Sequence, residues 1–337
     1  MADKSLKDAL SAINKQFGAG SVIVMGDQPI IDVDVIPTGL FTLDEALGCG
    51  GIPKGRITEI YGAEASSKTT LALHLASEAQ KASDVVAFVD VEHALDPYYA
   101  EKLGVDIDAL LLSQPSSAEE TMEIVQALVK SGHVGLIIID SVAALVPKAE
   151  LEGDFGDSHM GLVARLMSQS MRKLTAIIAK ANVAVVFLNQ TRSKIGNVYG
   201  SPITTTGGAA LKFYSSIRIE TAGFGKITAP GGTDIIGKNI RFKVVKNKLA
   251  APFKVVECPL IYGEGISKLD MLLQVAVDKD IVKKAGSWYS YNNKKIGQGA
   301  EKVKIFLREN EKILKEIRVQ LLTKNLKGDR IYPVARG

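Results

Sequence analysis

Apolar and polar positions along the chain follow more than one period. In the opening MADKSLKDALSAINKQF, Leu6, Ala9, Leu10 and Ile13 recur at helical spacing among charges, which predicts an amphipathic helix. A Gly-, Pro- and Asp-rich stretch over 18–38 then reads as a linker. Beyond it, continuously apolar runs stand at 57–61, 85–89, 109–112, 136–139 and 183–188, with helical patterns at 69–82, 118–131 and 161–182. Strands without polar alternation are covered on both faces, so these runs predict a parallel sheet with helices packed on each side. Two later runs, 213–220 and 240–245, alternate better and flank Pro230, Gly231 and Gly232, which predicts antiparallel strands. From about Lys268 a separate small unit begins, with helical patterns at 268–284 and 301–323 around the aromatic stretch GSWYSY.

Two segments break this order. TRSKIGNVYGSPITTTGG, at 191–208, and ELEGDFGDSHM, at 150–160, have little periodicity. Irregular segments of this length inside a compact domain are usually functional or disordered. Composition adds few constraints. No apolar run approaches the roughly 18 residues that cross a bilayer, and the N-terminus lacks the apolar stretch of a signal peptide. Cys49 and Cys258 suggest no disulfide framework, so a reducing cytoplasm is the expected compartment. The four histidines show no metal-ligand spacing, and no zinc is expected. The net charge of +4 is unevenly placed, because from Gly265 onward 16 Lys and Arg stand against 8 Asp and Glu. A basic terminal module suits a polyanion, although a solvated lysine-rich surface has the same count.

The chemistry concentrates where apolar strands end. After the run at 57–61 comes Gly62-Ala63-Glu64-Ala65-Ser66-Ser67-Lys68-Thr69-Thr70, which matches a phosphate-binding loop except that Ser67 replaces its second glycine. In such a strand–loop–helix unit, backbone N–H groups hold phosphates, the lysine neutralises charge and the hydroxyl of Thr69 faces Mg²⁺. The run at 136–139 ends in Asp140-Ser141, the form of a Mg²⁺ carboxylate opposite the loop. Glu92, just past the run at 85–89, is a candidate general base for an attacking water. Gln190, at the end of the run at 183–188 and just before the long irregular segment, is placed to sense a γ-phosphate and move that segment.

In this order the elements resemble the bacterial RecA recombinase family. The most specific strings are VEHALDPYYAEKLGVD, IIIDSVAALVPKAELEGDFGDSHMG, NQTRSKIG, TTTGGAALKFY, VVKNKLAAPFK, IYGEGIS and AGSWYSY, and the similarity begins at KQFGAGSV. The resemblance implies an α/β fold: a RecA-type P-loop ATPase core with a mostly parallel central sheet flanked by helices. It divides the chain into an N-terminal oligomerisation helix and linker (1–32), a core with DNA-binding loops (33–266) and a small basic α+β C-terminal domain (267–337). The implied activity is ATP hydrolysis with Mg²⁺ on single-stranded DNA, in a homo-oligomeric filament that pairs and exchanges strands with homologous duplex. The filament is also expected to promote self-cleavage of an SOS repressor of the LexA type.

Residue by residue, the resemblance assigns phosphate and Mg²⁺ contacts to Lys68 and Thr69, and catalysis to Glu92. Asp96, Tyr99 and Tyr262 are similar to the adenine contacts, and Gln190 to the residue that couples the γ-phosphate to DNA. Lys246 and Lys248 match lysines that reach a neighbouring subunit's ATP, like arginine fingers. DNA contacts fall on the segment from Glu152 to Gly161 with Arg165, and on the segment at 191–208 with Arg192, Lys194, Tyr199, Gly207 and Gly208. Binding of this kind is led by phosphates and stacking and tolerates any sequence.

Two departures carry consequences. Many members end in an acidic tail where this sequence reads KGDRIYPVARG, which implies weaker autoinhibition and DNA binding that tolerates higher salt. Ser67 costs about 1–2 kcal/mol if its φ is positive and little if φ is negative. Either way, ATP binding and hydrolysis are expected to persist. Two alternatives stay open: a DNA-coating filament silenced by Ser67, and another RecA-core ATPase such as a helicase or a circadian-clock-type enzyme.

Overall fold

A computed structural model describes residues 2–18, 21–22, 33–154, 161–193, 203–229 and 231–326. The chain divides into two units, 1–33 and 34–337. In the first, α1 (Ala2–Phe17) ends at Gly18, whose φ of 103° suits glycine. The Asn14 side chain then ties the chain back through Val22 N–H and C=O.

The second unit is built on six parallel strands. In chain order they are β1 (Ile57–Gly62), β2 (Val85–Asp90), β3 (Leu111–Ser113), β4 (Val134–Asp140), β5 (Ala184–Ser193) and β6 (Ile217–Thr228). They lie side by side as β6-β1-β5-β4-β2-β3. Beyond β6 the sheet continues antiparallel through β7 (Ile235–Asn247), β8 (Val255–Ile261) and β9 (Gly265–Ile266).

The continuously apolar runs are explained by the two cores. Leu136 and Ile138 of β4 face one core with α2 (Lys68–Lys81), while Ile137 and Ile139 face the other with α3 (Ala118–Ser131) and α4 (Leu162–Ala181). All four are fully buried, each contributing roughly 1.5–3 kcal/mol relative to exposure. The ends of α3 are set locally: Ser117 Oγ accepts from Glu120 N–H, and Gly132 closes the helix at a φ of 72°.

A third core, built on Leu272, Val282, Tyr289, Val303, Leu307, Ile317 and Leu321, sits in the C-terminal part. Its helices are α5 (Lys268–Asp278), α6 (Ala300–Glu309) and α7 (Glu311–Leu326). They pack on an antiparallel sheet of β10 (Lys283–Ala285), β11 (Trp288–Tyr291) and β12 (Lys294–Gln298).

Four expectations need correction. The run at 213–220 is not one strand: Ala210–Tyr214 is a short helix, and pairing begins only at Ile217. The pattern at 268–284 stops at Asp278, because Asp280 has a φ of 54° and the N–H groups of Ile281 and Val282 both turn back to Ala276 C=O. The pattern at 301–323 is two helices broken at Asn310, whose side chain returns to Phe306 C=O. Within the linker, Val35–Ile36 pairs antiparallel with Ile52–Pro53.

Candidate functional site

The carboxyl ends of the parallel strands converge on one edge of the sheet, where ligands bind in open α/β folds. The loop after β1 passes closely under β6: a Cβ on Gly62 would collide with Thr221 C=O, and Ser66 Oγ bonds Thr221 Oγ1 at 2.7 Å. Ala65 and Ser67 both take positive φ, 54° and 72°, with Ser67 directly before α2. Single left-handed residues of this kind turn successive N–H groups into an anion-binding concavity at the helix N-terminus. The question the sequence left open is therefore decided: Ser67 sits where a glycine would be unstrained, and its side chain makes no capping hydrogen bond.

Lys68 is buried, and its ammonium donates to Ala63 C=O at 2.8 Å and Gly62 C=O at 3.5 Å. Burial lowers its pKa, while Asp140, Glu92 and Glu64 oppose that. Thr69 Oγ1 donates to Asp140 Oδ2 at 2.7 Å. Burial pushes the Asp140 carboxyl up to about 6 against that hydrogen bond, and the Glu92 charge adds to the rise. Glu92 is exposed, and both Ser141 Oγ and, at 3.2 Å, Gln190 Nε2 donate to its Oε1. Neighbouring Asp90, buried, fixes the turn after β2 by accepting from Ala94 and Leu95 N–H.

A hydroxyl and a carboxylate in contact beside a phosphate loop fit Mg²⁺, which keeps several waters and takes few protein ligands. Among the described residues, no group of three or more His, Cys, Asp or Glu is gathered for a metal.

Next to the loop lies a cleft of about 340 Å³ lined by residues 65–70, Tyr99, Lys238, Leu260, Tyr262 and Gly263. Tyr99 Oη and Thr70 Oγ1 are 3.1 Å apart, and Tyr262 is half exposed. Asp96 caps its own short helix through Tyr98 and Tyr99 N–H.

Behind Gln190 is a polar network that sequence reasoning missed. Fully buried Glu59 accepts from Asn189 Nδ2 at 2.9 Å and from Arg218 Nε at 2.5 Å, and Arg218 stacks on Tyr61. Asn189 also bonds Thr206 C=O and receives the Gln190 N–H, while Thr206 N–H donates to Gln190 C=O. These bonds close the base of the irregular segment, whose ends pair as Thr191–Ser193 with Ile203–Thr205. Only long-range pairing brings these side chains together, so no local pattern announces them.

Of the expected DNA contacts, Arg165 and Arg192 are exposed. Lys194, Tyr199 and positions 155–160 lie outside the described residues. Gly207 and Gly208 each have a φ of 78° and pack so closely on Val142 and Ala164 that a Cβ on either would approach to 2.7 Å. Their lack of a side chain is required inside the fold. Lys246 and Lys248 are not in their own chain's cleft. Lys246 pairs with Arg218 at the edge of the sheet opposite the phosphate loop and donates to the C=O groups of Lys212 and Phe213.

Comparison with known proteins agrees with this geometry. The RecA N-terminal domain model matches residues 4–267, and the RecA C-terminal domain model matches 271–326. "Protein RecA" of Methylococcus capsulatus is 55% identical over 98% of this chain and 95% of its own length. Its counterpart in Clostridioides difficile is 56% identical over 93% of this chain and 90% of its own length, and that of Thermus aquaticus 53% over 95% and 94%. With both domain models in sequence order and relatives more than half identical along nearly the whole length, the chain belongs to the RecA family.

Proposed function

We propose that this chain is a DNA-dependent ATPase and strand-exchange recombinase whose phosphate loop works with serine at position 67. The observation that carries this reading is the contact set Thr69–Asp140, Ser141–Glu92 and Gln190–Glu92 around the loop. It joins four strand ends into one site.

In this reading the N–H groups of 63–69 and Lys68 receive the β- and γ-phosphates of ATP, and the base lies in the cleft between Tyr99 and Tyr262, near Asp96. Thr69 and Asp140 hold Mg²⁺, which supplies charge neutralisation on the phosphates. Glu92, held by Ser141, accepts a hydrogen bond and then a proton from the attacking water. Gln190 exchanges its bond to Glu92 for one to the γ-phosphate. Because its backbone is joined to Thr206, that exchange reaches the stem of the 191–208 segment.

Lys246 and Lys248 serve a neighbouring subunit's ATP, since Lys246 at the end of β7 and Lys248 just past it lie away from their own. Arg165, Arg192, Lys194 and Tyr199 contact DNA, with Gly207 and Gly208 shaping the end of the second loop. The filament works in the cytoplasm and promotes self-cleavage of a LexA-type repressor. Segment 1–32 serves oligomerisation, 33–266 is the ATPase core with its DNA-binding loops, and 267–337 is a small basic domain. Among the described residues, no helix is long and apolar enough to cross a membrane.

The test is strand exchange between a single strand and homologous duplex, with ATP and with a slowly hydrolysed analogue. Pairing is expected with both, and completion of exchange is expected with ATP. Absence of homologous pairing with either would overturn the recombinase reading.

A further inference from the structure

One contact in the nucleotide cleft is left unused by this mechanism. Lys238, on β7, reaches across the sheet and donates from Nζ to the C=O of Ala65, 173 positions away in sequence. Its stem lies over Gly223 on β6, where a Cβ would stand 3.3 Å from Lys238 Cδ. It is half-buried and lines the same cleft as Ser67, Lys68 and Tyr262. The carbonyl it grips belongs to the first of the two left-handed, non-glycine residues of the loop. The contact therefore bears on the backbone that turns the phosphate-binding N–H groups inward. Lys238 and Lys68 thus bring two like charges to the lining of one cleft. Two ammonium groups beside one cleft leave room for a polyanion to relieve their repulsion.

We propose that Lys238 is a positioning residue of the nucleotide site. Its ammonium holds the Ala65 carbonyl so that 65–67 keeps its anion-binding form despite Ser67, and it adds a second positive charge beside the polyphosphate. This rests on the nucleotide reading of the cleft. A charge-assisted bond from an ammonium to a carbonyl is stronger than a neutral one. Arginine can replace it, whereas methionine keeps only the stem.

The experiment measures binding of a fluorescent ADP with Mg²⁺, and thermal unfolding without nucleotide, for the full chain and its variants. Lys238→Met is expected to weaken binding roughly tenfold, and Lys238→Arg to stay within about threefold of wild type. Steady-state kinetics should show KM raised more than kcat is lowered. In a Ser67→Gly background, where one of the loop's two left-handed residues is no longer strained, the Lys238→Met penalty should shrink by at least about threefold. Lys238→Gln, more soluble than methionine at a half-exposed position, repeats the measurement if Lys238→Met unfolds early. Equal binding by wild type and both variants would overturn the assignment, as would the same penalty in the serine and glycine backgrounds. A wild type that binds no labelled ADP would overturn the nucleotide reading instead, so the two failures are distinguishable.

Discussion

Replacing Ser67 by glycine measures the cost of this chain's departure from the phosphate-loop pattern. Ser67 has φ 72° and ψ 29°, and its hydroxyl makes no capping bond that would compensate. A residue with a Cβ in that conformation costs about 1–2 kcal/mol. Glycine gives back about 0.5–1 kcal/mol through its greater freedom in the unfolded chain. The net expectation is a variant more stable by about 0.5–1 kcal/mol, which in a chain of this size raises Tm by roughly 1 °C. Thermal unfolding followed by circular dichroism reads this directly, with ATP turnover on single-stranded DNA measured alongside. Both proteins should hydrolyse ATP at rates within a few-fold, because the substitution leaves Lys68, Thr69, Glu92 and Asp140 in place. A lower Tm for the glycine variant would refute the strain assignment. Turnover absent in the wild type and restored by glycine would refute the claim that the loop works as it is.

Other outcomes follow from the same geometry. Glu92→Gln should lower ATP turnover by on the order of 10²–10⁴-fold while fluorescent-ADP affinity stays within a few-fold, since Glu92 faces the water and not the base. Equal losses in binding and turnover would contradict that role. Arg218→Met leaves the Glu59 carboxylate buried without its partner and should cost about 3–5 kcal/mol in urea unfolding; a cost below about 1 kcal/mol would show that the pair is not needed. His74 is buried, with its pKa lowered to about 3 chiefly by burial and by Lys268. Its neutral form belongs to the fold, so its contribution is complete above the unfolded pKa of about 6.5 and is lost as pH falls towards 3. Between pH 7.5 and 5.0 that loss is about 2 kcal/mol, and His74→Gln, which keeps an acceptor for Ile266 N–H, should remove it from the pH slope. Asp44, pushed up to about 8 by burial, acts in the opposite sense over this window and cancels in the comparison of wild type with variant. An unchanged slope would show that His74 does not carry the effect.

The sequence revealed most where burial was two-sided and chemistry was local. The run at 136–139 read as a covered strand because alternate residues serve opposite cores, and Asp140 stood out as the polar residue that ends it. Lys68 and Thr69 were legible because a phosphate loop is a contiguous motif. Periodicity misled where an apolar pattern outlasts its helix: Ile281 and Val282 stay buried after α5 has turned, and Asn310 breaks a pattern that continues on both sides. Contacts made by sheet pairing left no local trace. Lys238 with Ala65, Ser66 with Thr221 and Glu59 with Arg218 are each joined across more than 150 positions. The φ of Ser67 was undetermined because serine can take either sign, at a cost of about 1–2 kcal/mol when φ is positive.

The central claim is that a loop with serine before its lysine still drives a RecA-family ATPase. ATP turnover by the purified full-length chain, with and without single-stranded DNA, tests it most directly. Turnover should rise clearly when single-stranded DNA is added and fall away in Lys68→Ala. Turnover that stays at background with DNA bound, or that is equal in Lys68→Ala, would contradict it.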